Sequence, residues 1–407
     1  MPAEAHHREA RVRGPDAVRA RLLTAATELL AQRTPFDVTV RQIAERAGVN
    51  HGQIHHYFGS KDGLVAATIA DGAARYHQDR MHDGQHFPLP LDAATRPAGW
   101  RTLAYLASTG AWRQPPFEPS PVVGWLAHRR ADDIGRPAND PEVMAVTAAT
   151  TALQRGWWIF RDMILYALAP FDPDVDAICE DLSTRSMRLV DPIKSEVDEP
   201  ADVPEAPTVE PALEHDRGPE AVRAKLISAT TALLLEATPS AITLKDIATE
   251  AGVNHGQVHH YCASKEHLIA SCIQRRAAAL LASGAAEANI VPIHAERRLP
   301  LWRTLAHLAA TEEWDHEAYT HSPMVARMVE TVAERTGRAT TDPSVHGQVV
   351  AVHALDLGWG IYRNIIEYGL EPLGGDLVAM RRYLAALSTQ LVDPDVYTPQ
   401  PTRGSPS

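Results

Sequence analysis

Cysteine is scarce in this chain of 407 residues, and aromatic side chains make up only 6% of it. The three cysteines, Cys179, Cys262 and Cys272, form no Cys-x-x-Cys pair and cannot all pair with one another. This usage fits a reducing cytosol. The N-terminal residues contain no apolar signal segment, and no uncharged apolar run approaches the roughly 18 residues of a membrane span. We therefore expect a cytoplasmic protein with no membrane partner.

Recognisable catalytic motifs are absent as well. The sequence contains no glycine-rich phosphate loop, no metal-ligand spacing and no nucleophile motif. We therefore expect no enzyme activity, no cofactor and no metal site.

The net charge of −12 argues against a nucleic-acid partner until its distribution is considered. Residues 191–216 contain nine acids and one lysine, so this segment alone carries −8. Residues 8–63 contain nine Lys and Arg against six Asp and Glu, a balance of +3. The chain is therefore acidic overall but begins with a basic region.

An internal duplication dominates the sequence. Residues 13–63 align without a gap onto 217–267 at an offset of 204, with 29 of 51 positions identical. Further matches at an offset of 202 join 100–104 to 302–306 and 189–192 to 391–394. The repeated unit of about 180 residues is far longer than a solenoid repeat. A whole domain has been duplicated.

Both copies are predicted to be helical throughout, so the fold class is all-α. Apolar residues from Val18 to Leu30 keep the spacing of an amphipathic helix, and those from Val222 to Leu234 repeat it. Longer helices are expected at 100–111, 121–134, 141–168 and 174–190. The segment between the copies is rich in Pro, Glu and Asp and cannot bury enough surface to order itself, which is typical of an extended linker.

A helix-turn-helix pattern lies in the basic region. Thr39 and Gln42 form a capping-box pattern at the start of a short helix. Gly48 can adopt the left-handed conformation that ends it, and Asn50 then caps a second short helix, His51 to Tyr57. A helix, a tight glycine turn and a short polar helix make up this DNA-binding plan.

The exposed side of the second helix has the chemistry of base recognition. Gly52 would let the helix approach a groove floor, and Gln53 offers the paired donor and acceptor that suit an adenine edge. His51, His55, His56 and Tyr57 can contact phosphates or bases. Ser60 caps the next helix, whose N-terminus forms with Lys61 a site for a DNA phosphate.

Other interpretations of these residues exist. Glycine-containing corners occur in many proteins that do not bind DNA, and a lone lysine is usually a solvated charge. Paired histidines sometimes bind metal, but adjacent residues of a helix project about 100° apart. The second copy favours DNA binding, because residues 251–261 match 47–57 at ten of eleven positions, exposed ones included. The matching candidates are Thr243, Asn254, His255, Gly256, Gln257, His259, His260, Tyr261 and Lys265.

Residues 39–64, TVRQIAERAGVNHGQIHHYFGSKDGL, resemble the DNA-binding head of the tetracycline-repressor (TetR) family. The resemblance implies Thr39, Tyr57 and Lys61 as phosphate contacts, and His51, Gln53, His55 and His56 as groove-facing residues. It implies also a C-terminal body that binds an effector, and a dimer interface made by the last two helices, here 141–168 with 174–190 and 343–370 with 376–391. One departure is Cys262, which replaces Phe58 in the second head and puts its packing in doubt.

The resulting division is a first head at 14–64 and its body at 65–192, a linker at 193–216, a second head at 218–268 and its body at 269–394, and a tail at 395–407. We expect a single-chain pseudo-dimer that regulates transcription, as a ligand-responsive repressor, from a pseudo-palindromic DNA operator. The alternative is an effector-binding or protein-interaction scaffold of the same fold that has lost DNA binding.

Two further expectations concern the effector and the balance of the heads. The eight tryptophans all lie in the bodies, where a small apolar or amphipathic effector could bind. Core packing is the commoner role for any one of these tryptophans. The first head should bind DNA more strongly, because residues 212–267 carry −2 where residues 8–63 carry +3.

Overall fold

The computed structural model describes residues 15–83, 91, 99–109, 121–189, 218–262, 264–282, 299–320 and 322–392. The expected linker at 193–216 and tail at 395–407 lie outside these residues, as does Trp112. Every regular element of the described residues is a helix, so the predicted all-α class is confirmed.

Each copy forms a chain of helices in the same order. In the first copy these are α1 (Pro15–Gln32), α2 (Val40–Ala47), α3 (Gly52–Phe58), α4 (Lys61–Asp83), α5 (Trp100–Thr109), α6 (Pro121–Ile134), α7 (Pro141–Leu168) and α8 (Val175–Arg188). In the second copy they are α9 (Pro219–Glu236), α10 (Leu244–Glu250), α11 (His255–Tyr261), α12 (Lys265–Ala282), α13 (Leu299–Thr311), α14 (His316–Thr320), α15 (Pro323–Thr336), α16 (Pro343–Leu370) and α17 (Leu377–Val392).

The sequence located the long helices well, because prolines and acidic caps mark their starts. Asp140 caps α7 and Asp342 caps α16, each followed by a proline at the first helical position. The predicted spans 121–134, 141–168 and 343–370 agree with the structure residue for residue. Helices α4 and α12 run without a break through the expected boundaries between head and body.

Helices α7 and α16 cross so closely that their backbones touch. They meet at Gly156 and Gly358, which occupy the same place in the two copies. A Cβ atom added to Gly156 would lie 1.8 Å from the carbonyl oxygen of Ala354. One added to Gly358 would lie 1.9 Å from the carbonyl oxygen of Ala152, the duplicate of Ala354. The crossing therefore has an approximate two-fold symmetry and requires glycine at both positions.

Helices α8 and α17 pack crosswise on this pair, α17 on α7 and α8 on α16. Arg185 on α8 pairs with Asp181 at 2.5 Å and donates to the backbone oxygens of Leu391 and Ser344 at 3.2 and 3.4 Å. The four helices that the family resemblance assigns to a dimer interface thus come from one chain. Trp157 and Trp359, beside the two glycines, are buried at its centre.

The two heads differ in how their cores join the bodies. The first head has a separate hydrophobic core, which includes Leu22, Ile43, Ile54 and Phe58 and reaches Tyr105 on α5. The core of the second head belongs to one continuous cluster with both bodies. The described residues contain no helix long and apolar enough to cross a membrane.

Candidate nucleic-acid interface

Matching side-chain caps fix the first helix of each helix-turn-helix. The hydroxyl of Thr39 accepts from the backbone N–H of Gln42 at 3.3 Å, and the Gln42 side chain accepts from the N–H of Thr39 at 2.9 Å. In the second head Thr243 and Asp246 make the same reciprocal pair at 3.2 and 2.9 Å. The capping box predicted at Thr39 is therefore present in both copies. The partner side chain is the amide of Gln42 in the first head and the carboxylate of Asp246 in the second.

The turn between the two helices depends on a glycine. Gly48 and Gly252 both have a φ of +63°, a left-handed conformation that side chains disfavour. The N–H of Gly48 then bonds back to the carbonyls of Ala44 and Glu45, which ends α2. Ile54 and Val258, on the inner side of the second helices, are buried, so the opposite sides face solvent.

The candidate DNA-binding residues form one accessible face on each head. Those that are exposed are Thr39, Asn50, His51, Gly52, His55 and His56 in the first head, and Thr243, Asn254, His255, Gly256, Gln257, His259 and His260 in the second. Those that are half-buried are Gln53, Tyr57, Lys61, Tyr261 and Lys265. Each candidate thus keeps some accessible surface in the structure, and its contact with DNA stays a prediction.

The recognition helices differ in register by one residue. Helix α11 spans His255–Tyr261, which matches the predicted range, whereas α3 spans Gly52–Phe58 and so begins and ends one residue later. Gly59, with a φ of +72°, lets α3 continue through Phe58. An alanine occupies the equivalent position in the second copy. The Asn50 side chain still accepts from the N–H of Gly52 at 2.9 Å.

The two candidate adenine-reading glutamines have different environments. The side-chain oxygen of Gln257 accepts from the backbone N–H of Asn254 at 3.1 Å and completes a capping box. Gln53 makes no such bond within the described residues, because α3 starts one residue later. A bidentate pairing with adenine uses both the oxygen and the nitrogen of the amide. The amide of Gln53 is therefore available for a base in the free protein. Gln257 must first break its hydrogen bond to the N–H of Asn254.

The two candidate phosphate lysines turn inward. The ammonium of Lys61 donates to the backbone oxygens of Pro35 at 2.6 Å and Val38 at 3.0 Å, and burial lowers its pKa. Lys265 donates to the oxygen of Pro239 at 3.1 Å. Both lysines thus tie the helix that follows the recognition helix, α4 or α12, to the loop before the helix-turn-helix. An ammonium has three donors, so this structural role leaves room for a phosphate.

We expect Lys61→Met to destabilise the first head by about 1–3 kcal/mol, because two carbonyls lose a charged donor. Lys265→Met should cost less, since one such bond is lost. The slope of log affinity against log salt concentration tests whether Lys61 also contacts a DNA phosphate. Each phosphate contact contributes about 0.9 to this slope. A weaker complex with an unchanged slope would show that Lys61 acts only within the protein. Thermal melts and DNA titrations of both variants provide the measurement.

Cys262 fits the core of the second head as a small apolar group. Its side chain is buried like that of Phe58, and burial raises the pKa of its thiol. The thiol therefore stays protonated and is a weak nucleophile. Arg19 stacks 5.5 Å from the Phe58 ring, and Arg223 takes the matching place near Cys262.

A joint that the sequence did not reveal connects the heads to helices α5 and α13. Phe36 of the first head packs its ring 4.7 Å from that of Tyr105 and 4.2 Å from that of His307. Ser240 of the second head lies 2.7 Å from Nε2 of His307. Tyr105 and His307 are duplicates that differ within the otherwise matching segments WRTLAYLA and WRTLAHLA. This single difference between otherwise identical segments was the sequence feature that could have indicated a special role for Tyr105 and His307.

Helices α5 and α13 also bond to each other across the two copies. Arg303 on α13 donates to the backbone oxygen of Ser108 at 2.6 Å, and Arg101 on α5 pairs with Glu312. Tyr105 in turn donates to Asp62 of the first head at 2.5 Å. At this joint α13 therefore contacts both heads as well as α5.

Comparison with known proteins places these features in a family. The signature of bacterial regulatory proteins of the tetR family matches twice, at residues 22–68 and 226–272. The HTH-type transcriptional repressor Rv3405c of Mycobacterium tuberculosis is 29% identical over 188 residues, covering 44% of this chain and 92% of the relative. The HTH-type transcriptional regulator BetI of Brucella canis is 51% identical over 125 residues, covering 29% of this chain and 57% of the relative. The two signature matches and these relatives support a tandem regulator of the TetR family, with one helix-turn-helix head in each copy.

Proposed function

We propose that this protein is a ligand-responsive repressor that binds a pseudo-palindromic operator in the cytoplasm as a single-chain pseudo-dimer. The observation that carries the proposal is the pair of matching recognition faces in one chain. In each head His, Gly, Gln, His, His and Tyr occupy the same places around a second helix whose inner residue is buried. Packing alone does not require solvent-facing residues to match.

The division into heads at 14–64 and 218–268 with bodies at 65–192 and 269–394 is part of this proposal. The crossing of α7 and α16 at Gly156 and Gly358 supports pairing of the two halves within the chain. Dimeric helix-turn-helix proteins read two half-sites related by the symmetry of the protein. Two tethered heads with an approximate two-fold axis suit such an operator without any second chain.

A cavity in the second body supports the ligand response. It has a volume of about 120 Å³, close to the roughly 150 Å³ of an engineered cavity that binds benzene. Helix α7 contributes Phe160, Met163 and Ile164 to its wall, and the second copy contributes Trp302 and Leu305. Apolar walls with few polar groups are typical of small-molecule sites.

The polar groups of this cavity add specificity to it. Burial lowers the pKa of His353 to about 4, so its ring is neutral at pH 7. The hydroxyl of Tyr319 is buried without a hydrogen-bond partner in the part of the chain that the structure describes. Such a hydroxyl favours a ligand that offers an acceptor, because an unmet buried polar group is costly. A small amphipathic effector therefore fits this body.

The position of the cavity supports a coupling to the heads. Trp302 and Leu305 belong to α13, the helix whose His307 contacts residues of both heads. A ligand that displaces α13 changes the arrangement of the heads and hence the half-site spacing that they fit. Differential affinity of the ligand for the two arrangements is all that such a response requires.

The decisive experiment selects binding sites from a pool of random-sequence duplexes, with sequencing of the enriched DNA. We expect two inverted half-sites and a complex of one chain per duplex. Gln53→Ala should weaken binding to the selected site by about 1–3 kcal/mol if its bidentate contact forms. Gln257→Ala should weaken binding less, because its amide oxygen is engaged by Asn254 in the free protein.

The matched pair serves as its own control, since both variants remove one glutamine from equivalent positions. Equal losses would contradict the inferred difference between the heads. Failure to enrich any sequence would instead favour a scaffold that has lost DNA binding.

A further inference from the structure

The ligand region of the first body has a different chemistry from the cavity of the second. Sequence equivalence at the offset of 202 pairs Leu357 and Phe160, which line the cavity, with Arg155 and Tyr362. These two residues contact each other, with the Arg155 guanidinium 5.2 Å from the centre of the Tyr362 ring. The duplication has thus put a cation where the other site has a leucine.

Arg155 has no acidic partner within the part of the chain that the structure describes. Its Nη1 atom is buried without a hydrogen bond to any described residue, and the neutral ring of Tyr362 is the group that lies against the guanidinium. Two other half-buried arginines of the bodies have acidic partners: Arg185 pairs with Asp181, and Arg381 pairs with Glu367 at 2.6 Å. A buried guanidinium stays protonated and costs free energy unless an anion neutralises it.

Further unmet polar atoms lie on the same side of α7. Thr151, Arg155 and Trp158 are spaced at i, i+4 and i+7, which places them on one helix face. The hydroxyl of Thr151, the indole N–H of Trp158 and the hydroxyl of Tyr362 are all buried without a hydrogen-bond partner among the described residues. All of these groups can donate. Arg155 lies deep in the body, yet part of its surface stays accessible.

We propose that the first body is a binding site for a small organic carboxylate, held by the Arg155 guanidinium with donors from Thr151, Trp158 and Tyr362. The proposal rests on the ligand response proposed above and adds that the two bodies take different ligands. A carboxylate accepts two parallel hydrogen bonds from the fork of a guanidinium, which a hydroxyl or an amide does not match. The remaining lone pairs of the carboxylate suit the hydroxyl and indole donors.

The aromatic surroundings select the rest of the ligand. The Tyr362 ring lies beside the cation, and α16 continues from Tyr362 to the buried Ile365 and Ile366. An apolar body attached to the carboxylate suits these apolar surroundings, because its transfer from water to them is favourable. An apolar monocarboxylate therefore fits better than a strongly hydrated inorganic anion.

The test compares octanoate and benzoate with 1-octanol and benzyl alcohol on the full chain. Binding is followed by tryptophan fluorescence and by thermal shift. We expect the wild type to bind each carboxylate about tenfold or more tightly than the matched alcohol, because a charged hydrogen bond is lost with the alcohol. Arg155→Leu, which installs the residue of the other copy, should abolish this preference and raise the melting temperature of the ligand-free protein. Leu357→Arg is the reciprocal control in the second body.

Four outcomes decide whether the carboxylate site exists. A preference for carboxylates that Arg155→Leu removes, with ligand-free stability increased, supports the site even if the chain enriches no DNA sequence. Equal binding of carboxylates and alcohols by the wild type overturns it, as does the absence of carboxylate binding. An unchanged carboxylate preference in Arg155→Leu also overturns it, and leaves the regulator proposal intact if DNA is still bound.

Discussion

Gly156→Ala is expected to lower the stability of the chain by at least about 3 kcal/mol, the upper end of the range for over-packed cores. The added methyl group would lie 1.8 Å from the carbonyl oxygen of Ala354 and 2.7 Å from its carbon. Both atoms belong to the backbone of α16, so no rotamer change relieves the clash and the two helices must separate. A loss of this size corresponds to a fall of roughly 6–12 °C in melting temperature.

Gly358→Ala should have a similar effect, since its methyl group would lie 1.9 Å from the carbonyl oxygen of Ala152. Gly72→Ala provides the matched control, because nothing lies within 4 Å of a Cβ atom added there. This helical position should gain about 0.5–1 kcal/mol from the substitution. Thermal melts and DNA binding of the three variants test the crossing. Similar melting temperatures for Gly156→Ala and Gly72→Ala would contradict the close approach of α7 and α16.

The repeat and the helical pattern allowed most of the fold to be predicted from the sequence. Local rules govern these features: Asp140 and Pro141 start α7, Gly48 ends α2, and Thr39 caps it. Each signal lies within a few residues of the structure that it determines. The accessible face of each recognition helix was predictable for the same reason, because the positions of Ile54 and Val258 orient the helix.

The features that the sequence did not predict depend on residues far apart in the chain. The sequence does not indicate that the ammonium of Lys61 lies against Pro35 and Val38 across the head. The difference between Gln53 and Gln257 comes from a one-residue shift in the helix start, which near-identical sequences do not reveal. The contact of Arg155 with Tyr362 joins α7 of the first copy to α16 of the second. It could be recognised only once the packing of these two helices was known.

His307 is the joint residue whose protonation has the largest expected effect on stability. Its side chain is fully buried, its Nε2 atom lies 2.7 Å from the Ser240 hydroxyl and its Nδ1 atom has no hydrogen-bond partner. Burial, with a smaller contribution from the charge of Lys265, lowers its pKa to about 4. The ring is therefore neutral at pH 7, and a proton added to it in the folded state would be unpaired.

We expect His307 to make the chain less stable as the pH falls from about 6.5 to about 4. The unfolded chain takes up the proton near pH 6.5, whereas the folded chain does so only near pH 4, so stability is complete above the first value and is lost toward the second. The difference amounts to about 3 kcal/mol, of which about 2 is lost by pH 5. His307→Gln keeps a polar partner for Ser240 but does not titrate. The free energy of unfolding of this variant should therefore fall less than that of the wild type between pH 7 and pH 5.

Chemical denaturation at pH 7, 6 and 5 measures this difference. His128→Gln is the control, because it removes an exposed imidazole from α6. His353 adds a second decrease in the same pH range, since burial lowers its pKa to about 4 as well, and this contribution should remain in both variants. Parallel curves for the wild type and His307→Gln would show that His307 already binds a proton in the folded joint. In that case its ring would be solvated, and the contacts through which α13 reaches Phe36 and Ser240 would be looser than the structure indicates.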